Sequence, residues 1–127
     1  MKKSILQFSL FAIVFLCVLS CKDDPTPPSL VGTWTETSFV ASGCDDPSDN
    51  ESVTCTTGCE IIVISATTIT SDGFSDSYTK TATTISVTDG PLSYTVAYTV
   101  TETTLVITQE GSALTDGCKY VTTYKRS

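Results

Sequence analysis

The sequence predicts an all-β protein, a single small antiparallel up-and-down barrel of about eight strands. From residue 30 onward, short runs rich in threonine, valine, isoleucine and tyrosine alternate with turns rich in glycine, aspartate and serine. No segment of this part has the apolar period of a long helix. Threonine pairs followed by isoleucine or leucine open the runs at 67, 83 and 103, and this weak repeat favours hairpins between neighbouring strands.

Eight segments carry the strand pattern, and alternation assigns their faces because side chains two residues apart share one face. In the clearest segment, Tyr94, Val96 and Tyr98 share a face, and the serine and threonine residues between them occupy the other. The predicted strands are 31–40, 59–65, 67–72, 74–81, 83–88, 92–101, 103–109 and 118–126.

Residues 1–20 have the features of an export signal. Lys2 and Lys3 precede an apolar run at 5–19 that only two polar residues interrupt, which is the order of a secretory signal peptide. The run is too short for a stable membrane-spanning helix. We therefore expect residues 1–20 to be removed during export.

The quartet Val18-Leu19-Ser20-Cys21 resembles the lipobox of bacterial lipoproteins. In that family the cysteine receives diacylglyceryl, the chain is cleaved before it, and the new N-terminus is acylated. The resemblance implies a covalent lipid on Cys21 and attachment to the cell outer membrane; no other cofactor is predicted. Dissociation from the membrane would be negligible, since each buried methylene contributes about 0.8 kcal/mol.

The segment after the cysteine predicts on which side of the outer membrane the protein lies and how the domain is connected to its anchor. Lys22, Asp23 and Asp24 resemble the signal by which lipoproteins of the Bacteroidota reach the cell surface. We expect surface display, with a periplasm-facing protein as the alternative. Residues 21–29 contain three prolines and predict an extended tether, so 30–127 forms the barrel domain.

The charge of the chain excludes one class of partner. The formal charge is −7, and the loss of Lys2 and Lys3 with the signal makes it −9. Such a surface is a poor partner for nucleic acid, although a basic protein would be attracted to it. The sequence does not define an oligomeric state.

The cysteines of the exported domain predict two disulfides, because four of them form an even set in an oxidising compartment. A zinc site is the alternative, but the spacings lack Cys-x-x-Cys pairs and the chain has no histidine, so no metal site is predicted. The four residues are Cys44, Cys55, Cys59 and Cys118.

Two motifs at the ends of the domain resemble the lipocalin-like family. Gly32 and Trp34 match its Gly-x-Trp opening, and the run 124–126 matches its terminal-strand arginine. In that family the tryptophan lies at the barrel base and the arginine lies across its ring. The resemblance covers about 30–126 and implies these roles for Gly32, Trp34 and Arg126. The chain is much shorter than a standard lipocalin and is closer to small lipocalin-like lipoproteins of the Bacteroidota.

This resemblance also bears on the disulfide pairing, since it sets Trp34 beside Arg126 across the first and last strands. In an antiparallel pair the numbers of facing residues have a constant sum, and Trp34 with Arg126 sets this sum at about 160. Residue 44 is therefore expected to face a position near 116. The favoured pairs are Cys44–Cys118 and Cys55–Cys59. The alternative pairs are Cys44–Cys55 and Cys59–Cys118.

The function hypotheses depend on the barrel interior and on the connection 41–58. In lipocalin-like folds this loop lies over the open mouth, and its acidic residues do not match a calcium loop, so we interpret it as a solvated acidic turn. Four tyrosines either line a cavity or, as is commoner in so small a barrel, fill it. They are the possible ligand-facing residues Tyr94, Tyr98, Tyr120 and Tyr124.

We expect a binding protein rather than an enzyme, because the chain has no histidine and no phosphate-binding glycine loop, and leaves no cysteine free. The first hypothesis is a module that binds a small apolar or amphipathic molecule, or a short glycan, at the open end. The alternative is a protein-interaction module, such as an inhibitor or accessory subunit, that uses the acidic loop. An interior pocket of about 300 Å³ or more would favour the first.

Replacing the predicted lipidated residue, Cys21→Ser, removes the thiol to which diacylglyceryl would be attached. We expect the variant to stay unprocessed or soluble and to take up no fatty acid in metabolic labelling. Undiminished label on this variant would contradict acylation at Cys21. As the control, replacing 22–24 together by alanine should keep the label while reducing cleavage by an external protease.

Overall fold

A computed structural model describes residues 25–110 and 117–127, which form nine strands and one 3₁₀ turn at Pro47–Asp49. Cys21 and residues 22–24 lie outside the described residues, so the lipid anchor stays a prediction. The strands are β1 (Gly32–Ser42), β2 (Glu51–Thr54), β3 (Ile61–Ile64), β4 (Thr68–Ser71), β5 (Phe74–Lys80), β6 (Thr84–Asp89), β7 (Leu92–Val100), β8 (Thr104–Gln109) and β9 (Lys119–Arg126).

Eight of these strands close into an antiparallel barrel, which confirms the predicted fold class. From β3 to β9 each strand pairs with the next, and β1 pairs with both β3 and β9. The architecture is consistent with a small lipocalin-like barrel. The strand boundaries lie within two residues of those predicted from the alternation.

The ninth strand, β2, corrects the expectation of an irregular loop at 41–58. β2 pairs with the second half of β1, on the same edge where β3 pairs with the first half. The Cys55 N–H donates to the Thr37 carbonyl at 2.9 Å, and the Glu36 N–H donates to the Glu60 carbonyl at 2.8 Å. Between Cys55 and Glu60, residues 56–59 are not paired with β1. β2 and β3 are therefore one strand with an interruption.

Two disulfides hold this region, and they form the pairs that the register favoured. Cys55–Cys59 spans the interruption between β2 and β3. Cys44–Cys118 joins the end of β1 to the start of β9 across a sequence separation of 74. In the chain-entropy account, a loop of this length stabilises the folded state by about 4 kcal/mol.

A bulge in β1 changes which of its residues face the interior. The pairing of β1 with β9 shifts register between Glu36 and Ser38, which leaves Thr37 without a partner on β9. The Thr37 hydroxyl donates to the Thr123 carbonyl at 3.0 Å and holds the extra residue in place. Inward residues below the bulge therefore have even numbers, and those above it, such as Phe39, have odd numbers.

The apolar core fills the half of the barrel where β1 begins, which we call the base. Trp34, Ile85 and Leu105 are fully buried there. The predicted inner face of β7 contributes Val96 and Tyr98 to the same cluster. The other buried members are Leu30, Ile62, Ile64, Tyr78, Val87 and Tyr124.

Three turns at the base share one hydrogen-bonding pattern. Ser65, Thr81 and Thr101 each start a turn, and each hydroxyl oxygen accepts from the backbone N–H groups two and three residues later. These short side chains satisfy backbone donors that a tight turn leaves unpaired. The threonine pairs in the sequence repeat are the last two residues of these turns.

A side chain from the later strand then bonds back to each turn. The Tyr78 hydroxyl donates to the Ser65 carbonyl at 2.8 Å, and the Tyr98 hydroxyl donates to the Thr81 carbonyl at 3.0 Å. At the third turn, Arg126 Nε donates to the Glu102 carbonyl at 2.7 Å. Arg126 thus takes the place that tyrosine takes in the first two turns.

The same arginine closes the base over the tryptophan ring. Arg126 Cζ lies 4.1 Å from the Trp34 ring centroid, and the two residues are cross-strand partners. Its Nη1 and Nη2 donate to the carbonyls of Val31 and Ser29 at 3.0 and 2.6 Å. A Cβ on Gly32 would collide with Nη1, and Gly32 has a φ of +155°, which L side chains rarely adopt, so glycine suits this position.

Arg126→Ala removes the group that covers Trp34 together with three hydrogen bonds from a charged donor. We expect the free energy of unfolding to fall by about 2 kcal/mol and the thermal midpoint by several degrees. Trp34 is the sole tryptophan, so its emission should shift to longer wavelength as water reaches the ring. The control is Lys125→Ala, an exposed neighbour. An unchanged midpoint and spectrum for Arg126→Ala would contradict the closure.

Candidate functional site at the barrel mouth

The inner faces of the strands become acidic above the core, towards the end that we call the mouth. Each of four carboxylate residues lies two positions from a buried core residue on the same strand or its extension, so alternation turns it inward. These four residues form the acidic layer, which consists of Glu36, Glu60, Asp76 and Asp89.

Glu60 is fixed in this layer by hydrogen bonds to both of its oxygens. The Tyr124 hydroxyl donates to Oε2 at 3.0 Å, and the Ser71 hydroxyl donates to Oε1 at 2.6 Å. Burial raises the pKa of Tyr124, and the negative charges of Glu60 and Glu36 raise it further. Tyr124 therefore stays protonated at neutral pH and remains a donor to Glu60.

Tyr94 is the second tyrosine beside the acidic layer and is half-buried. Burial raises its pKa, and the charges of Asp76, Asp89 and Glu60 add to the shift. The Tyr94 hydroxyl has no hydrogen-bond partner among the described residues, unlike that of Tyr124. This part of the interior thus places the fixed carboxylate of Glu60 near Tyr94, whose hydroxyl can hydrogen-bond to a ligand.

Beside this layer, the wall above the Thr37 bulge forms a hollow of about 460 Å³. Glu51 and Tyr120 flank Ala41 on the inner face, one on each neighbouring strand. The Tyr120 ring packs on Phe39, with ring centroids 5.5 Å apart. The hollow is lined by Ser48, Asp49, Asn50, Glu51, Cys118 and Tyr120.

The acidic loop above this hollow is held by its own hydrogen bonds. Asp46 Oδ1 accepts from the Ser48 N–H at 2.9 Å and from the Ser48 hydroxyl at 2.7 Å. These bonds lower the pKa of Asp46, which is fully exposed. Asn50 Oδ1 accepts from the Cys44 N–H at 3.3 Å and ties the loop to the disulfide.

A second hollow lies at the base, between the segment that leads into β1 and the end of β7. Its volume is about 760 Å³, and its lining is mostly apolar. Residues 26–31 form one side, and the other side is formed by the β5–β6 turn and the end of β7 near Tyr98. The hollow is separated from the acidic layer by the filled core.

The four tyrosines singled out from the sequence occupy three different environments. Tyr98 is part of the base core and is bonded to a turn, so it fills the barrel rather than lining a site. Tyr94 and Tyr124 lie beside the acidic layer, and Tyr120 lines the upper hollow.

Sequence reasoning missed the acidic layer, although a signal for it was present. Glu60 stands two residues before Ile62, Asp76 two before Tyr78, and Asp89 two after Val87. The alternation that assigned apolar residues to the interior assigns these carboxylates to it as well.

The two ends of the barrel carry opposite charges. The described basic residues are Lys80, Lys119, Lys125 and Arg126, and all except Lys119 lie at the base. Lys119 forms an ion pair with Glu110 at 3.5 Å. The mouth carries the acidic layer and the loop carboxylates, so its potential is strongly negative.

Comparisons with protein-family models, curated proteins and solved structures found no match to this chain. Within residues 25–110 and 117–127, no group of three or more potential ligands has the arrangement of a metal site. None of the helices in the same residues has the length and apolar character needed to cross a membrane. Function is therefore inferred from the geometry of the mouth.

The raised tyrosine pKa values predict a loss of stability in alkali. The folded state binds the phenolic protons more tightly than the unfolded state, so this stability is complete below pH about 10 and lost as the pH rises further. In urea unfolding, Tyr124→Phe should make the free energy of unfolding fall less steeply with rising pH. At neutral pH the variant should be less stable by about 2 kcal/mol, because Glu60 Oε2 is left unpaired. Equal slopes for the variant and the native protein would contradict the assignment.

Proposed function

We propose that the protein is a lipid-anchored binding module of the cell envelope, whose mouth binds a small amphipathic molecule bearing a positive charge. The observation that carries the proposal is the acidic layer with Tyr94 and Tyr124 beside it. Carboxylates in a partly dry site attract a cation more strongly than they do in water. Aromatic faces add cation–π attraction and apolar contact.

The position of the tether supports an orientation with the mouth away from the membrane. Residues 25–29 lead directly into the base, and Cys21 precedes them by a few residues. Lys80, Lys125 and Arg126 give this end a positive charge that complements anionic headgroups. The acidic mouth would then face the medium from which a ligand arrives.

The shape of the interior limits the size of the ligand. The base core is filled by side chains such as Trp34 and Tyr98, so the ligand enters only the upper half. Phe74 and Leu92 begin the strands that descend from this end, and they are 78% and 61% exposed. Apolar residues around a charged interior suit an amphipathic molecule better than a wholly apolar one.

Titration calorimetry of the mature lipidated protein in detergent micelles tests this function, with 2-phenylethylammonium as the probe. We expect Glu60→Gln and Asp76→Asn each to weaken binding about tenfold, equivalent to about 1.4 kcal/mol. The control Glu102→Gln makes the same charge change at the base and should bind as the native protein does.

Neutral 2-phenylethanol separates the role of charge from that of the ring. Binding of the alcohol as tight as that of the ammonium probe would contradict a cation site. A short neutral glycan that binds the native protein and is unaffected by Asp76→Asn would instead favour a sugar ligand.

The rigid acidic loop supports a second candidate, a protein-interaction module. Cys44–Cys118 joins the loop to the start of β9, and the hydrogen bonds of Asp46 and Asn50 connect residues 44–50 to one another. A surface ordered before binding loses little entropy when a partner docks. Its charge suits a basic protein, and neither candidate requires catalysis.

A further inference from the structure

One edge of the barrel wall is open at β2. This strand pairs with β1 along one side, and no described strand pairs with its other side. β4 pairs only with residues 62–64 of β3 and ends below β2. All four residues of β2 are exposed.

The register shows which backbone groups face this open edge. Cys55 and Thr37 form a hydrogen-bonded pair, so hydrogen-bonded pairs recur at every second residue of β2. Glu51 and Val53 therefore direct their N–H and C=O groups towards β1. Ser52 and Thr54 direct theirs away from it, which leaves two donors and two acceptors for another strand.

We propose that β2 is a docking edge for an extended segment of a partner protein, which adds as an antiparallel strand and presents lysine or arginine to the mouth. The inference rests on the second candidate function and names its mode of binding. Exposed edges recruit strands, and many proteins block them with lysine or proline. β2 contains neither.

Charge at the edge identifies the partner as basic. The Glu51 side chain faces the inner surface, where Asp49 and Tyr120 also line the 460 Å³ hollow. An inward side chain on an added strand opposite Glu51 lies within reach of this hollow. Lysine or arginine there would meet two carboxylates and an aromatic ring.

The same charges disfavour a second copy of this chain as the occupant. In an antiparallel dimer that pairs Ser52 with Thr54, the two Val53 residues would face each other. Each copy would also bring a formal charge of −9 after loss of the signal segment. Like net charges oppose association, whereas a basic segment is attracted to this surface.

The two disulfides prepare the edge for binding. Cys55–Cys59 follows β2 directly, and Cys44–Cys118 anchors the loop before it. Both ends of the strand are therefore held while its outer edge stays open. Little backbone ordering remains to oppose docking.

The test uses the mature lipidated protein in micelles and a capped seven-residue peptide that alternates lysine with valine or threonine. We expect saturating peptide to slow amide hydrogen exchange at Ser52 and Thr54 about tenfold or more. Exchange at Glu51 and Val53, whose amides are already bonded to β1, should not change. Absence of slowing at Ser52 and Thr54 would overturn the proposal.

Ser52→Pro supplies the decisive variant. Proline removes the outward donor and places its ring on the edge without costing a bond to β1. Peptide affinity measured by calorimetry should fall more than tenfold, and the matched control Ser52→Ala should bind like the native protein. Equal affinities of the proline and alanine variants would overturn strand addition.

Further outcomes separate this inference from the functions proposed above. If Ser52→Pro has no effect but Asp49→Asn weakens binding, the acidic loop binds partners without strand addition. Equal binding of a peptide with glutamate in place of lysine would exclude a basic partner. A dimer of the native protein that Ser52→Pro abolishes would assign the edge to a second copy and overturn the proposal. Ser52→Pro should leave 2-phenylethylammonium binding unchanged.

Discussion

The pairing of β1 with β9 is the constraint on which the rest of the structure depends. It converts a meander into a closed barrel, and closure removes the exposed edges of the first and last strands. A further contact holds the two strands together at each end: the Trp34–Arg126 contact at the base and the Cys44–Cys118 disulfide at the mouth. The base core, the inward carboxylates and the fixed acidic loop all require these two strands to stay together.

The two ends of the barrel are built on different principles. The base uses one turn three times, and each turn is bonded by a side chain from a later strand, with Arg126 replacing tyrosine at the last. The mouth combines an interrupted strand, a 3₁₀ turn and two disulfides. The regular base contains the apolar core, and it supports a mouth that contains charged and partly exposed groups.

Alternation and composition were sufficient to predict the barrel, its core strands and the inner face of β7, because apolar burial dominates those segments. β2 was not predictable in this way, since Glu-Ser-Val-Thr is short, polar and exposed on every residue. The acidic layer was missed for another reason. An inward Glu60 is tolerated only because Ser71 and Tyr124, 11 and 64 residues away, bond to its oxygens. Such partners become visible only once the sheet is closed.

The bulge at Thr37 has a consequence for how this barrel can vary. Because of the extra residue, the inward side chains of β1 have even numbers before the bulge and odd numbers after it. The first half of the strand therefore contributes side chains to the base, and the second half contributes them to the mouth. If β1 ran through Thr37 as a regular strand without the bulge, Phe39 and Ala41 would turn outward while Trp34 kept its place. The two halves of the strand can therefore be redesigned separately, so the groups that face the mouth can be changed while the contacts that close the base are kept.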